Sequence, residues 1–563
     1  MVTTPAAAEA AAKTVPIPAR ASVPENLQRT GKRDAIIVIT FGSQTAHLIS
    51  RRVRELHVYS ELVHSTIKEA DGTKRPISLD DIKALGDRLN VRGVILSGGP
   101  DSTYEKDAPT MDPRILTELP AQGIPVLGIC YGAQLIARLV GGKVEQAPEG
   151  EYGHATISIG AQGDLLKGLT PVENVWMSHG DSILELPNGY EVLARSERTP
   201  VQAFRHESLP IWGVQFHPEV THTERGKEIM SNFVRLMCNA PATWTIENME
   251  AQLIQNIKEK VGDGTCLVAL SGGVDSTTAV TLVAKALGKE RVKAVYVDTG
   301  LMREGETEQI QKTFKDLGIE LHVSHCERDF IEKLRGETDP EKKRMIIGAE
   351  FGVTWKLLRP ILKADCLVQG TIYPDRVESG ATGGNTDTIK THHNVGGLPE
   401  EIKKEFRALV EPLEDLYKDE VRALARQLGL PEAIAERQPF PGPGFGIRVI
   451  GMDVNDETLA IVRKADHIVT TILEETGISK RLAQYFAVYL GIKSTGVKGD
   501  KRAYGGVIGV RAIVTDDFMT GKHAAIPHEI LDRISTEITH QIPSINRVVY
   551  DITDKPPATT EWE

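Results

Sequence analysis

Cys130 stands at a position that suits a reactive cysteine. It follows the apolar run IPVLGIC and precedes YGAQLIARL, whose apolar residues recur at the spacing of a helix. A nucleophile on such a strand-to-helix turn is held exposed, here with Gly128 and Gly132 on either side. The start of a helix also favours the thiolate. We therefore predict a cysteine nucleophile at position 130, although this residue taken alone also fits a buried, inert cysteine.

A cysteine nucleophile needs a base, and the stretch GVQFHPE (213–219) offers His217 at the end of another apolar run. Pro218 keeps His217 extended, so Glu219, two residues on, points the same way. A carboxylate beside the imidazole would fix its tautomer and complete a Cys-His-Glu triad. A lone histidine is more often structural, so this prediction depends on the combination of the three residues.

The negative oxygen that forms when a nucleophile attacks a carbonyl group needs hydrogen-bond donors. The turn SGGP (97–100), which contains Gly98 and Gly99, and the backbone around Tyr131 are the candidate donors. The sequence therefore predicts an oxyanion hole built from backbone N–H groups.

A second candidate site lies in LVALSGGVDSTTAVTLVAKALG (267–288), which reads as a strand, a glycine turn and a helix. The pattern GxxxxGK[ST] of a kinase-type phosphate loop does not occur here. Two glycines can instead turn successive backbone N–H groups toward an anion, with serine hydroxyls and a helix N-terminus beside them. We predict a pyrophosphate-binding loop in which Asp275 carries Mg²⁺; a plain turn with an N-cap is the alternative. Its residues are Ser271, Gly272, Gly273, Val274, Asp275 and Ser276.

The elements that must position these residues divide the chain into four parts. Residues 1–32 are rich in Ala and Pro without hydrophobic periodicity and are predicted to be disordered. Residues 33–240 and 241–436 each alternate short apolar runs with helix-like stretches, which predicts two consecutive α/β domains. After the Pro- and Gly-rich boundary RQPFPGPGFGIRVIG, residues 437–563 predict a smaller α+β domain.

Composition narrows the class of protein. The 563 residues carry a formal net charge of −11, which argues against a general nucleic-acid surface. No apolar run approaches the roughly 20 residues of a membrane-spanning helix. The five cysteines are far apart and show no CxxC spacing, so neither a disulfide framework nor a zinc site is expected. A protein of the reducing cytosol, with neither membrane nor nucleic acid as partner, fits best.

Two resemblances sharpen these predictions. GICYGAQ, with SGGP upstream and HPE downstream, resembles the class I glutamine amidotransferases, which implies a flavodoxin-like fold and hydrolysis of glutamine through a cysteine thioester, with release of ammonia. It also implies that Gln134, His179 and Asp181 lie near the glutamine. SGGVDS resembles the signature of N-type ATP pyrophosphatases, which implies an adenine-nucleotide α-hydrolase-like fold and cleavage of ATP between its α and β phosphates.

Further stretches (VYVDTGLMREGE, IYPDRVESG, IKTHHNVGGLPE and PSINRVVYDITDKPPATTEWE) resemble the glutamine-hydrolysing GMP synthase family. That resemblance implies adenylation of xanthosine 5′-monophosphate (XMP) by ATP with Mg²⁺, and amination to GMP with release of AMP and pyrophosphate. The third domain is then a dimerisation domain, and a homodimer is expected. The residues implied are Asp375, Glu378 and Lys390 on a lid, and Arg303, Gln484, Arg547, Lys555 and Glu561 around XMP.

Other functions remain open at this point. An NAD synthase or a tRNA-thiolating enzyme has the same type of loop, but the C-terminal stretch disfavours the first, and the negative charge and the absence of zinc-like cysteines disfavour the second. A catalytically inactive homologue with a scaffolding role is a different class of alternative. Cys130, His217 and Glu219 speak against it, because a scaffold needs none of them.

Overall fold

The computed structural model describes residues 32–43, 45–69, 71–378, 406–498, 500–515 and 521–563. Residues 1–31, nearly all of the predicted disordered tail, and Lys390 of the predicted lid lie outside the described residues. Within the described ranges, no helix combines the length and the apolar character needed to cross a membrane.

The first unit is built on a nine-stranded sheet whose buried parallel strands run in the order β2-β1-β5-β6-β11. This is the strand order of flavodoxin-like folds, which bind ligands where the order reverses at the carboxyl ends of the strands. The parallel strands are β1 (Arg33–Thr40), β2 (Tyr59–His64), β5 (Leu89–Leu96), β6 (Val126–Ile129) and β11 (Ile211–Val214). The antiparallel extension is β7 (Lys143–Ile159), β8 (Val172–Glu185), β9 (Tyr190–Arg195) and β10 (Ala203–His206), and a separate hairpin is β3 (Thr66–Lys68) and β4 (Lys74–Pro76).

Helices cover the parallel part of this sheet. Local signals set their ends; for example, Ser78 and Asp81 form a reciprocal capping box at the start of the second helix. The helices are α1 (Ala46–Glu55), α2 (Leu79–Leu85), α3 (Arg114–Ala121), α4 (Tyr131–Leu139) and α5 (Gly226–Ser231), which continues as a π-helical turn over Asn232–Met237.

The second unit has a fully parallel sheet in the order β14-β13-β12-β15-β16. The order reverses between β12 and β15, which places a ligand crevice beside the end of β12. The strands are β12 (Cys266–Leu270), β13 (Val292–Asp298), β14 (Leu321–His325), β15 (Cys366–Val368) and β16 (Ala408–Val410). The helices are α6 (Ile246–Val261), α7 (Val274–Leu287), α8 (Glu306–Leu317), α9 (Glu327–Leu334), α10 (Pro340–Leu362), α11 (Tyr373–Glu378), α12 (Lys418–Gln427) and α13 (Glu432–Ala435).

The third unit has a mixed sheet in which β18 and β19 form a long antiparallel pair. Its core is continuous with that of the second unit, because Leu267 and Val295 belong to the same buried cluster as Val462 and Ile508. Its elements are β17 (Val449–Ile450), α14 (Asp456–Glu475), β18 (Gln484–Lys498), β19 (Lys501–Val514), β20 (Lys522–His523), α15 (His528–Gln541) and β21 (Ile545–Tyr550). The predicted fold class, two α/β units followed by an α+β unit, is confirmed.

A buried arginine joins the first and second units. Arg54 of α1 donates to Glu420 Oε2 at 2.8 Å and to the Asp415 carbonyl at 2.5 Å. Its guanidinium also lies 4.6 Å from the ring centre of Tyr373 and 4.8 Å from that of Tyr417. Burial alone would lower the pKa of Arg54, but Glu420 and the neighbouring tyrosines raise it above its usual value, so the cation is held firmly.

Arg54→Met should weaken this contact between the two units. It leaves Glu420 buried without its cation, and losing one partner of a buried pair costs about 3–5 kcal/mol. Calorimetry should then show one unfolding transition that is shifted to lower temperature and separated from the other unfolding transitions of the chain. Such a separation is expected because a multidomain chain need not unfold in one step.

The control is Arg51→Met on the same helix. Its pair with Asp419 is 3.8 Å long, with the Asp419 side chain 60% exposed, so the expected loss is below about 1 kcal/mol. Equal effects of the two substitutions would contradict the role given to Arg54.

Candidate active site

The turn at Cys130 has the backbone of a strained nucleophile elbow. Cys130 joins β6 to α4 with φ 52° and ψ −110°, a conformation that a residue with a side chain rarely adopts. A Cβ on Gly132 would lie 2.3 Å from the Leu96 carbonyl oxygen, and one on Gly128 would lie 2.6 Å from the Ala133 nitrogen. The flanking glycines are therefore required for the bend that sets the thiol at the end of the strand.

His217 and Glu219 form a buried pair beside this thiol. His217 Nδ1 is 2.8 Å from Glu219 Oε1, and Glu219 is fully buried. Burial alone would lower the pKa of His217, but the Glu219 carboxylate and the nearby Cys130 thiol raise it well above its usual value. Among the described residues, His217 Nε2 is buried without a hydrogen-bond partner, which leaves it for a reacting group.

His217 lies beyond the strand rather than at its end. β11 stops at Val214, three residues earlier. Two hydrogen bonds fix the intervening loop: His217 N–H donates to the Trp176 carbonyl at 3.0 Å, and the Thr223 hydroxyl donates to the His217 carbonyl at 2.6 Å. The alternation of side chains along the strand therefore does not orient the imidazole. Its orientation is set by contacts with the segments that contain Trp176 and Thr223.

The predicted oxyanion donors meet at the same edge of the sheet. A Cβ on Gly98 would lie 3.4 Å from His217 Cε1, so the SGGP turn passes directly beside the imidazole. Tyr131 is the first residue of α4, where backbone N–H groups have no partner within the helix. Throughout the described part of the chain, the N–H groups of Gly98, Gly99 and Tyr131 donate no hydrogen bond. They are free to bind a negative oxygen.

The residues expected near glutamine form one hydrogen-bonded group. Gln134 Nε2 donates to the Asp181 carbonyl at 2.9 Å, and His179 Nδ1 is 2.9 Å from the same oxygen. Two further members of this group were not predicted from the sequence. Tyr104 donates its hydroxyl to Asp181 Oδ1 at 2.9 Å, and Glu151 Oε2 lies 3.3 Å from His179 Nε2.

Glu151 is held ionised by its surroundings. Burial would raise its pKa, but His179 and the hydroxyls of Thr199 and Ser196 lower it to about 2. The sequence offers no local signal for this role, because His179 lies on the neighbouring strand β8. The Ser178 carbonyl on that strand contacts Cys130 Sγ at 3.8 Å, so the network also borders the thiol.

The second predicted site follows β12 with a shorter loop than expected. Only Ser271, Gly272 and Gly273 separate β12 from α7, so Asp275 and Ser276 lie in the first turn of the helix. Gly272 has φ 76°, and a Cβ there would lie 2.7 Å from Ile310 Cδ1. The helix begins early because Gly273 takes the N-cap position in an extended conformation. Its first N–H groups, including that of Val274, therefore face the loop.

A lysine does reach this loop, from a distant segment. Lys418, the first residue of α12, donates to Asp275 Oδ2 at 2.5 Å. The other oxygen, Asp275 Oδ1, is buried without a hydrogen-bond partner among the described residues. Arg437 adds a second cation, with Nη1 donating to the Gly272 carbonyl at 2.6 Å and Nη2 2.6 Å from Glu306 Oε1. Neither cation has a sequence signal near SGGVDS.

The lid residues are described only in part. Asp375 lies in the short helix α11, where its Oδ2 accepts from the Ile372 N–H at 3.3 Å. Glu378 ends the same helix, and Lys390 lies outside the described residues. At the start of α11, the Tyr373 hydroxyl accepts from the Leu62 N–H at 2.5 Å, so the beginning of the predicted lid is attached to the first unit.

Three of the residues expected around XMP are brought together. Glu561 Oε1 accepts from Gln484 Nε2 at 2.7 Å and from Arg448 Nη2 at 2.9 Å. Asp466 links Arg448 to Arg303, at 3.4 and 3.3 Å. The C-terminus is fixed nearby rather than frayed. Two residues after Glu561, the side chain of Glu563 pairs with Lys343 at 2.8 Å.

Arg547 and Lys555 occupy other positions. Arg547 Nε donates to Ser494 Oγ at 2.7 Å on an exposed part of β21. The backbone of Lys555 pairs with that of Gly521, with N–H to carbonyl distances of 2.8 and 2.9 Å. Their grouping with the other three residues stays a prediction.

Comparison with known proteins covers all three units. The glutamine amidotransferase class-I family matches residues 37–237, the NAD synthase family 245–349, and the GMP synthase C terminal domain 471–562. A solved structure of a glutamine amidotransferase from Thermotoga maritima covers 37% of the chain and 99% of its own length, at 19% identity and a TM-score of 0.29.

Two curated relatives match nearly the whole chain, and both are named GMP synthase [glutamine-hydrolyzing]. The one from Staphylococcus epidermidis is 45% identical over 95% of this chain and 100% of its own length. The one from Thermomicrobium roseum is 48% identical over 94% of this chain and 97% of its own length. The NAD synthase likeness stops at residue 349, whereas these relatives span the C-terminal unit as well, so the alternatives are not favoured. The chain belongs to the glutamine-hydrolysing GMP synthase family.

Proposed function

We propose that the chain converts XMP to GMP, using the amide nitrogen of glutamine and the energy of ATP, with release of glutamate, AMP and pyrophosphate. The main observation that supports the ammonia-producing half of the reaction is the strained Cys130 beside the buried His217–Glu219 pair. The adenylating half is supported by the loop at Asp275, which Lys418 contacts.

In the first half, the Cys130 thiolate attacks the carboxamide carbon of glutamine. The N–H groups of Gly99 and Tyr131 stabilise the resulting oxyanion. His217 gives its proton to the departing nitrogen, so ammonia leaves and a thioester remains. His217 then takes a proton from water, which attacks the thioester and releases glutamate and the thiolate. Glu219 holds the imidazole in the required tautomer throughout.

In the second half, the oxygen on carbon 2 of xanthine attacks the α-phosphorus of ATP, and the bond to the β-phosphate breaks. The loop Ser271–Gly273 and the start of α7 receive the departing pyrophosphate. Ammonia then adds to carbon 2, and AMP leaves with the oxygen. Lys418, together with Lys390 from the predicted lid, neutralises charge on the phosphates. No γ-phosphate is transferred, so the lysine position of a kinase-type loop is not needed.

The residues present fit a magnesium ion accompanying ATP. Asp275 Oδ1 is a buried carboxylate oxygen without a hydrogen-bond partner in the described ranges, beside a loop shaped for phosphates. Mg²⁺ prefers oxygen ligands and is commonly bound by one or two carboxylates plus substrate phosphates. Asp275 would hold the ion through that oxygen, and the ion would neutralise charge on the phosphate oxygens. Lys418 keeps the other carboxylate oxygen engaged.

We also propose that the enzyme is a cytosolic homodimer that needs neither a membrane nor a nucleic acid. Val497 and Tyr504 are 76% and 67% exposed on the β18–β19 ribbon. They lie on one face, since Tyr504 pairs with Thr495, two residues before Val497. Exposed apolar side chains grouped in this way mark interaction surfaces.

Light scattering should show twice the mass of one chain for the wild type and a single chain for Val497→Asp. A wild-type monomer would contradict the proposal.

Cys130→Ala tests the two-site arrangement. The variant should form no GMP from glutamine but should form GMP, AMP and pyrophosphate at the wild-type rate from added ammonium salt, because the synthetase site lies in a different unit. Nucleotide analysis by chromatography measures both. The wild type should form one AMP for each GMP with either nitrogen donor. Loss of the ammonium reaction in a folded Cys130→Ala protein, or ADP as the product, would contradict the proposal.

Glu219→Gln should move the pH profile of glutamine hydrolysis. The Glu219 carboxylate raises the pKa of His217, so the imidazolium persists to higher pH than in a free histidine. Without that charge the pKa falls, and the alkaline limb of kcat/KM should shift to lower pH, with a rate loss of about two orders of magnitude or more. Ammonia release measured across pH gives the profile.

Glu151→Gln is the matched control. It removes a buried carboxylate from His179 instead of His217, so it should raise the KM for glutamine while the alkaline limb keeps its position. If the alkaline limb of kcat/KM keeps its wild-type position in Glu219→Gln, the group that titrates there is not His217.

A further inference from the structure

Arg437 joins the glycine loop after β12 to a neighbouring helix. It is the first residue of the Pro- and Gly-rich segment RQPFPGPGFGIRVIG, and its side chain is 16% exposed. Nη1 donates to the Gly272 carbonyl at 2.6 Å, and Nη2 lies 2.6 Å from Glu306 Oε1. A guanidinium is a rigid planar fork, so these two contacts fix the directions of both partners at once.

The contact with Gly272 orients one peptide group of the loop. In a planar trans peptide, the carbonyl of Gly272 and the N–H of Gly273 point in opposite directions. Because Arg437 holds the carbonyl on one side, the N–H is turned to the other. There it donates, among the described residues, only to Ser271 Oγ in a long bond of 3.4 Å. This N–H therefore retains the capacity to bind an anion, with a serine hydroxyl beside it.

Glycine makes this orientation depend on a contact from outside the loop. Gly272 has φ 76°, and glycine rotates about its backbone bonds more freely than any other residue. Two successive glycines therefore do not hold the direction of the peptide between them. In the described part of the chain, the Gly272 carbonyl accepts a hydrogen bond only from Arg437.

A buried carboxylate holds Arg437 in place. Glu306 is the first residue of α8, where the helix N-terminus favours a negative charge, and its side chain is 2% exposed. A carboxylate removed from water needs a cation close by. Glu306 Oε2 also accepts from the Arg303 N–H at 3.3 Å, so the backbone fixes this carboxylate as well. The position of the guanidinium thus depends on α8 rather than on the loop that it contacts.

We propose that Arg437 is a positioning residue for the departing pyrophosphate. It fixes the peptide between Gly272 and Gly273 so that the Gly273 N–H points at the phosphate oxygens, and it acts through that peptide without touching them. The inference rests on the proposed function and adds to the loop a residue that lies 165 positions after Gly272. The boundary segment between the second and third units then also serves the adenylating reaction.

Arg437→Lys should separate the two contacts. The ammonium keeps a positive charge opposite Glu306, but it is a compact group rather than a fork. Charge-assisted bonds are the stronger ones, so the ammonium stays with the carboxylate and the Gly272 carbonyl loses its donor. The peptide can then turn, and the Gly273 N–H is no longer aimed. Arg437 is substituted rather than Glu306, because Glu306 also accepts from the backbone of Arg303.

The first test measures pyrophosphate binding without catalysis. The melting temperature is recorded over a range of pyrophosphate concentrations with Mg²⁺, and its rise gives a dissociation constant for each protein. That constant should rise about tenfold or more in Arg437→Lys, and GMP formation from XMP, ATP and ammonium salt should fall by a similar factor. Glutamine hydrolysis should change by less than about twofold, because its site is distant. A purely structural role would lower the melting temperature of the free protein and leave the dissociation constant unchanged.

Arg291→Lys is the matched control. Arg291 also donates to glycine carbonyls, with Nη2 2.5 Å from the Gly262 oxygen and 2.6 Å from the Gly264 oxygen. These glycines precede β12 whereas Gly272 follows it, so the same change is made at the opposite end of one strand. This variant should bind pyrophosphate like the wild type. An equal weakening in both variants, or wild-type binding in Arg437→Lys, overturns the inference.

Hydrogen exchange in the wild type tests the same N–H without a substitution, and it decides the question if Arg437→Lys does not fold. Pyrophosphate should slow the exchange of the Gly273 amide, read by mass spectrometry from overlapping peptides that differ in this residue. Unchanged exchange at Gly273 in protein that binds pyrophosphate overturns the inference. A wild type that neither binds pyrophosphate nor aminates XMP contradicts the proposed function instead, so the two failures are distinguishable.

Discussion

The carboxyl ends of parallel strands meet at one edge of a sheet, and both candidate sites depend on this constraint. In the first sheet it brings together the ends of β5, β6 and β11, and with them the SGGP turn, Cys130 and the segment that leads to His217. In the second sheet it places the loop after β12 beside Gly370, which follows β15; a Cβ on Gly370 would lie 3.0 Å from the Ser276 nitrogen. Each site thus lies where strands from separate parts of the chain end side by side.

Helix α1 connects the two edges. Arg52 Nε donates to the carbonyl of Glu219 in the triad at 2.9 Å, and Arg54, two residues later, binds Glu420 in α12. Helix α12 begins at Lys418, which donates to Asp275 at the phosphate loop. Side-chain contacts of these two helices therefore reach a residue of each candidate site, and the buried Arg54–Glu420 ion pair links the two helices.

The elements, and the sites whose residues are near each other in sequence, could be predicted; the contacts between distant segments could not. The helix Ile246–Val261, for example, has local signals at both ends, since the Thr245 side chain caps its start and Gly262, at φ 55°, ends it. The fold class and the family were predicted correctly, because the motifs around Cys130 and SGGVDS are local. Lys418 lies 143 residues from Asp275, and Glu151, Arg448 and Asp466 meet their partners only through tertiary packing, so no spacing rule identifies them. The roles of the site residues, and the domain boundaries, stay predictions.

Transfer of oxygen from XMP to AMP tests the adenylating reaction most directly. XMP labelled with oxygen-18 on carbon 2 would be incubated with ATP, Mg²⁺ and glutamine, and the products analysed by mass spectrometry. If the xanthine oxygen attacks the α-phosphorus, one labelled oxygen appears in the phosphate of AMP and none in pyrophosphate. Label in pyrophosphate or in water, with unlabelled AMP, would show that the oxygen of XMP is not adenylated and would contradict the assignment of the SGGVDS loop.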